Sequence, residues 1–380
     1  MARLTARERV LVALSILYAA AVIPIGIHKG IDVESHIIVA QGLLAGRPIY
    51  SAPPGIGVWW PPFAILALTP FALVARLSMP LAKGAFALIG VACVAWSIFR
   101  FGRAGREHLA LALAAVAVPL QINFDYLNVN AVLLALVVAA GFDLAQDRDT
   151  RAGVWLGLAT ALKVFPGLLL LYAAYRRRWR AAACGASLAL ALSVCSLLPL
   201  GVAGALAGAR DWLANSSAAV WVLHRRNQSL PALLSRAGVP HEATVAIDLL
   251  LLVLAAVALR RSNPDTDIVH EVGLVTLLAI LLSPIAWDHY YLVAFPAWVA
   301  ALSRAPEART RAARIALVAA GIATSGLLMV WSRSVRGTLL EHSIFAWGGL
   351  VLLVVLLLER LRGTVVVAAI PGVEHRAGDR

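Results

Sequence analysis

The chain has 380 residues, 61% hydrophobic and 14% charged, with a mean hydropathy of +0.84. Soluble domains carry about 25% charged residues, and too few polar side chains are present here to clothe a soluble core. That excludes a soluble globular protein, a disordered tail and a disulfide scaffold, and leaves an all-α, polytopic integral membrane protein. The net charge of +13 rests on 33 basic residues, and only Lys29, Lys83 and Lys163 among them are lysines. The arginines cluster between apolar runs, so they read as orientation signals in a bilayer and not as a nucleic-acid surface. Cys93, Cys184 and Cys195 lie within apolar runs, without metal-ligand spacing, and read as small hydrophobes.

In chain order, the basic N-terminal segment leads into an apolar run at 9–27. No convincing cleavage site follows, so this is a first membrane helix and not a removed signal peptide. Further apolar runs follow at 81–99, 107–120, 129–146, 180–200, 243–259, 268–284, 289–303, 312–331 and 341–358. Two stretches are ambiguous. The segment 61–77 opens with Pro61 and Pro62 and contains Pro70, and 152–175 is interrupted by Lys163 and Pro166. Counting both as single crossings puts Arg100, Arg103, Arg106, Arg148 and Arg151 outside, against the positive-inside rule. The preferred topology makes 61–77 juxtamembrane or re-entrant and 152–175 two short helices that meet near Lys163–Pro166, since proline disfavours helix at the residue before it. It predicts about 12 membrane helices, within a range of roughly 10–13, and both termini cytoplasmic. Residues 1–362 form a single transmembrane domain and 363–380 a polar cytoplasmic tail. The external segments are then 28–80, 121–128, 201–242, 284–289 and 332–340. No internal repeat is evident, which argues against a repeat-built transporter.

Several polar residues fall on that external side. Asp32 follows the first helix, with Glu34 and His36 at spacing two. Asp32 reads either as the cap of a juxtamembrane helix starting near Val33 or as a catalytic carboxylate. Lys163, inside an apolar run, either snorkels to the interface or meets an anion. Arg225 and Arg226 lie outside, where the charge rule does not account for them, and Asn227 and Gln228 add neutral donors. This segment also reads as an ordinary basic loop followed by a helix start. Trp287, Asp288, His289 and Tyr290 sit at a helix entrance, and their aromatics equally suit an interfacial belt. Trp59 and Trp60 lie in the first external loop, and Asn130 follows the second. No spacing suits a metal site. A cationic, aromatic-lined cleft with one or two carboxylates suits a phosphate-bearing amphipathic substrate, and suits poorly an ion channel.

The ordered segments D-V-E-S to L-L-A-G-R-P-I-Y (32–50), W-P-P-F (60–63), N-V-N (128–130), G-L-A-T-A-L-K-V-F-P (157–166), N-Q-S-L-P-A-L-L-S-R (227–236) and L-S-P-I-A-W-D-H-Y-Y (282–291) resemble glycosyltransferase family 87. These are the polyprenol-phosphate-mannose-dependent mannosyltransferases, of the GT-C class, and the resemblance spans about residues 9–331. The chain departs from the family where Trp60 precedes Pro61–Pro62 in place of tyrosine, where Leu127 and Asn128 precede Val129–Asn130, and where Glu34, Ser35 and His36 replace aromatics. The resemblance implies a GT-C-type fold whose long first external loop carries juxtamembrane helices. It implies an inverting transfer from a polyprenyl-phosphate sugar to a glycolipid or polysaccharide acceptor, on the extracytoplasmic face of a bacterial inner membrane. Asp32 falls at the general base. Lys163, Arg225, Arg226, Asn227, Gln228 and His289 become candidates for donor phosphate and sugar. Glu34, His36, Trp59, Trp60, Asn130, Trp287, Asp288 and Tyr290 become candidates for further substrate contacts. No cofactor, metal or nucleic acid is implied; the partners are the lipid-phosphate donor, the acceptor and membrane lipids. Arabinofuranosyl transfer and a non-enzymatic lipid-linked sugar flippase or transporter stand as alternatives.

Overall fold

The structure, a computed structural model, describes residues 6–50, 58–102, 106–261, 264–303 and 309–362. Among these residues every regular element is helical. The expected tail at 363–380, and parts of the basic clusters at 100–106 and 304–314, lie outside the described residues.

Helix α1 (Ala6–Lys29) turns at Gly30 into α2 (Ile31–Leu44). A Cβ at Gly30 would lie 2.6 Å from Leu127 Cδ1 and 2.9 Å from Lys83 Cε, so only glycine fits this corner. Two short helices follow, α3 (Pro62–Leu66) and α4 (Thr69–Ala75), as the prolines there suggest. Helix α5 (Met79–Arg100) is long, and its N-cap Ser78 accepts a hydrogen bond from the Leu81 amide. The expected span 107–120 is instead a bent pair, α6 (Arg106–Ala114) and α7 (Ala117–Tyr126), at 57°. Next come α8 (Asn130–Ala145), α9 (Asp149–Leu162), α10 (Leu168–Tyr175) and α11 (Trp179–Cys195). Between α9 and α10 the chain leaves the helix at Lys163, which is extended, and makes a 3₁₀ turn over Phe165–Gly167. The break predicted at Lys163–Pro166 is therefore present. Helix α9 lies close on α11, where small residues let backbones approach: a Cβ at Gly157 would sit 2.7 Å from the Gly185 carbonyl.

The C-terminal half has α12 (Gly201–Ser216), α13 (Ala219–Leu223), α14 (Leu230–Arg236), α15 (His241–Arg260) and α16 (Pro264–Leu282). Then come α17 (Phe295–Leu302), α18 (Arg311–Ser325), α19 (Arg333–Glu341) and α20 (Ile344–Leu361). The core gathers around α16, which packs on α8, α10, α17 and α20 and is buried from Asp267 to Leu282, apart from Leu282 itself. The expected continuous span 289–303 is corrected. Asp288–Ala294 is a 3₁₀ segment and only Phe295–Leu302 is α-helical, both buried apart from the last residue, Leu302.

Six described helices are long and apolar enough to cross a membrane, or seven if the bent pair is one span. Pro62–Ala75, Asn130–Ala145 and Phe165–Tyr175 are shorter apolar helices. Length and composition thus give a helical membrane protein, with fewer full-length spans than the twelve the charge pattern predicts. The difference lies in broken or short pieces, such as α6–α7 and α9–α10.

Helices α8, α9 and α16 run between two polar ends of the bundle. One end holds Asn130, Lys163 and the 283–290 segment. The other holds Asp143, Asp149 and Glu271. The 16 residues of α8 rise about 24 Å between them.

Candidate active site

Asp32 lies in the first turn of α2, which begins at Ile31 and not near Val33, and no side chain caps that helix. The capping reading is thereby corrected. The Asp32 carboxylate instead accepts a hydrogen bond from Asn128 Nδ2 at 2.8 Å. The same amide turns its Oδ1 to Lys163, whose Nζ donates to it at 3.0 Å and to Asn130 Oδ1 at 3.0 Å. Lys163 is 4% exposed and lies 3.5 Å over the Tyr290 ring and 5.8 Å from the Trp60 ring. It does not snorkel. A buried ammonium on two neutral oxygens and an aromatic face is held by dipoles, with its carboxylate counterpart one amide away. The extended backbone at Lys163 and the left-handed Leu127 just before Asn128 aim these side chains together.

His36, one turn beyond Asp32, donates from Nδ1 to the Asp32 carbonyl and packs its ring 3.8 Å from Trp60. Burial pushes its imidazole down to about 4, against the raising effect of that hydrogen bond and of the Asp32 charge. Its Nε2 is buried without a hydrogen-bond partner, and so is His289 Nε2. His289 turns Nδ1 to Asp288 Oδ1 at 3.2 Å, and its carbonyl accepts from Asn130 at 3.3 Å. With both Nδ1 atoms engaged as donors, each Nε2 is left as an acceptor. Among the described residues no three His, Cys, Asp or Glu side chains gather as a metal site.

A second group adjoins through Asp288. Arg226 donates Nε and Nη2 to the two Asp288 oxygens at 3.1 and 2.9 Å, gives Nη1 to the Tyr126 hydroxyl, and lies 4.5 Å over the Tyr126 ring. Burial alone would raise the Asp288 carboxyl. The His289 hydrogen bond and the Arg226 charge outweigh it and bring the group down to about 2. Burial would likewise lower Arg226, but Asp288 and Tyr126 hold it above its usual range. Arg225 and Arg226 both border a cavity of about 620 Å³.

Asn227 and Gln228 have a different place from that expected. Asn227 Nδ2 donates to the Trp221 and Pro284 carbonyls, and its Oδ1 accepts from the Ala286 and Ser229 amides. Gln228 Nε2 donates to the Arg225 and Leu340 carbonyls, and its Oε1 accepts from the Phe345 amide. Both are fully buried and neither lines the cavity. They tie the loop bearing Arg226 to its neighbours.

Glu34 points to α5, where it pairs with the buried Lys83 at 2.7 Å. Trp287 and Tyr290 are 8% and 5% exposed, so they form no interfacial belt. Trp59, Trp221 and Trp287 cluster instead, with ring centroids 4.4 to 6.3 Å apart. The structure thus joins Asp32, Asn130, Lys163, His289, Tyr290, Trp60 and His36 around Asn128. Asn128 stood out in the sequence beside Asn130 as an external polar residue, and Tyr126, next to the N-V-N segment, was within its reach. Lys83 carried the same signal as Lys163, a lysine in an apolar run.

Comparison with known proteins adds four findings. The model of glycosyltransferase family 87 matches residues 59–284. A polyprenol-phosphate-mannose-dependent alpha-(1-2)-phosphatidylinositol mannoside mannosyltransferase of Mycobacterium tuberculosis is 27% identical over 306 residues, covering 70% of this chain and 69% of the relative. A polyprenol-phosphate-mannose-dependent alpha-(1-2)-phosphatidylinositol pentamannoside mannosyltransferase of Mycolicibacterium smegmatis is 29% identical over 313 residues, covering 78% and 73%. No solved structure matches the chain.

Proposed function

This chain belongs to glycosyltransferase family 87, and from that premise we propose that it moves a sugar, mannose in the first instance, from a polyprenyl phosphate to a glycolipid or envelope polysaccharide with inversion at the anomeric carbon. Asp32 takes the proton of an acceptor hydroxyl as that oxygen bonds to the anomeric carbon. The bond from that carbon to the phosphate oxygen breaks on the opposite face, and its electron pair leaves with the polyprenyl phosphate. A positioned base contributes about 10²–10⁴-fold to such a step, and the phosphate needs cations more than an acid. Lys163 and Arg226 supply them. The free Nε2 atoms of His36 and His289 suit sugar hydroxyls as acceptors.

One observation carries this reading: the Asn128 amide touches the Asp32 carboxylate and the Lys163 ammonium at once. That contact supports a base and a phosphate-seeking cation working side by side, with Lys163 buried and Asp32 partly buried. The relatives' dependence on polyprenol-phosphate-mannose supports mannose as the sugar and a lipid-linked mannoside as the acceptor. The reading also takes the site as extracytoplasmic in a bacterial inner membrane, with about twelve membrane helices and both termini cytoplasmic. In a background without the three native cysteines, an impermeant thiol reagent applied to intact cells should label Trp331→Cys and spare Arg148→Cys. The reverse pattern would invert the orientation.

The test of the reaction is purified protein reconstituted in liposomes with polyprenyl-phosphate-mannose and polyprenyl-phosphate-arabinofuranose side by side. A new mannosidic bond with release of free polyprenyl phosphate is expected. Transfer from the arabinose donor alone would reverse the choice of sugar, and donor movement across the bilayer without a new bond would make the protein a flippase.

A further inference from the structure

The cavity beside the Asp32 centre carries more positive charge than its own carboxylates neutralise. It is lined by five basic residues, Lys29, Arg225, Arg226, Arg333 and Arg336, and by two acids, Asp125 and Asp288. Lys29 pairs with Asp125 at 3.0 Å and Arg226 with Asp288. Arg225 has only the exposed Glu341, at 4.0 Å. Arg333 and Arg336 have no carboxylate within 4.0 Å among the described residues. Helix α19 presents Arg333, Arg336, Gly337 and Leu340 to this space, the i, i+3, i+4, i+7 stripe of one helix face. Three cations therefore converge without equivalent anions on a volume of about 620 Å³, within the range of small-ligand sites.

Two neighbouring features narrow the ligand. Ile31 and Asp288 line the cavity and directly adjoin Asp32 and His289 in the chain, whereas Asp32 and Lys163 do not line it. An anion here lies next to the base but apart from the buried ammonium. Just before α19, Val330 and Trp331 are exposed, an apolar and aromatic edge that suits the lipid–water boundary. The ligand thus combines an anion with an apolar anchor.

We propose that Arg225, Arg333 and Arg336 form a second phosphate site, which holds the phosphodiester of a lipid-linked acceptor while its sugar reaches Asp32. The proposal rests on the glycosyl-transfer reading. The site accounts for Arg333 and Arg336, for which the donor has no need if its phosphate leaves beside Lys163.

The test is the variant R333Q/R336Q, whose replaced side chains are both exposed. In reconstituted protein, KM is measured for a mannoside on a phosphodiester lipid and for the same mannoside on a neutral alkyl chain. The wild type should favour the phosphodiester acceptor, and the variant should reduce that KM ratio by about tenfold or more with the donor KM unchanged. An unchanged ratio, or a rise in the donor KM instead, would overturn the proposal. Calorimetry with a soluble glycerophosphodiester headgroup reads the site without turnover. Binding should be lost in R333Q/R336Q and kept in Lys163→Met, and absence of binding to the wild type would overturn the site. If the wild type binds the headgroup and transfers no sugar to either acceptor, the glycosyl-transfer reading fails and the anion site stands.

Discussion

The two polar ends of the bundle hold their buried charges differently. At the end opposite the candidate site, cations meet carboxylates directly. Arg176 forks onto the fully buried Glu271, which also accepts from the Tyr172 hydroxyl at 2.6 Å. Asp143 takes Arg151 at 3.0 Å and Trp155 at 2.7 Å, and Arg309 meets Glu359 at 2.6 Å. At the site end direct pairs also occur, as between Arg226 and Asp288, but Lys163 rests on amide oxygens, two imidazole nitrogens have no partner, and cations outnumber the acids around the cavity. In the first arrangement each of these carboxylates is met by an arginine. The second leaves cationic and hydrogen-bonding capacity that a ligand can use.

The sharpest way to break this contrast is to remove the buried ammonium. Lys163→Met should lower kcat/KM by about 10²–10³-fold, the scale of one lost charge-stabilising donor, with little change in thermal stability in detergent. Equal turnover by this variant would reduce Lys163 to a packing residue. At the other end the outcome should be the opposite in kind. Glu271→Gln removes the charge onto which Arg176 forks and should cost about 3–5 kcal/mol of stability, seen as a lowered unfolding temperature, with sugar transfer per folded molecule kept. Loss of turnover without loss of stability would erase the distinction between the ends.

A smaller effect concerns His36. Its folded pKa of about 4 lies below the ordinary value of 6.5, so the unfolded chain binds more protons between those values. Its contribution to stability is present above about pH 6.5 and is lost as pH falls through 4. His36→Gln should flatten that part of the stability–pH curve. A curve of unchanged slope would mean that the imidazole is solvated. The Arg226–Asp288 pair, whose carboxyl sits at about 2, should persist over the same range.

Much of this was legible in composition and motif order. Hydropathy marks the helical membrane class. Proline after Lys163 marks the break that lets a lysine leave its helix. Asp32, Lys163, Asn130 and His289 all stand in segments that drew attention by their chemistry. Pairings across large sequence separations were not legible: no pattern joins Asp32 to Asn128 across 96 positions. Asn227 and Gln228 looked like ligands because they are polar and lie in a loop. Their side chains instead satisfy buried main-chain groups, an obligation sequence does not display. Arg333 and Arg336 drew no notice, since arginines in a short external segment read as solvated until a fold sets them against Arg225. The full-length helices expected at 107–120 and 289–303 failed for a related reason. Apolarity fixes burial, but Gly, Pro and packing decide whether a buried segment stays straight.

The central claim is that Asp32 is the base of a lipid-phosphate sugar transfer. It is tested most directly by Asp32→Asn, which keeps size and hydrogen-bonding capacity and removes the proton acceptor. In liposomes with polyprenyl-phosphate-mannose and acceptor, transfer should fall by about 10²–10⁴-fold, with donor binding and unfolding temperature near those of the wild type. Wild-type turnover by this variant would contradict the account.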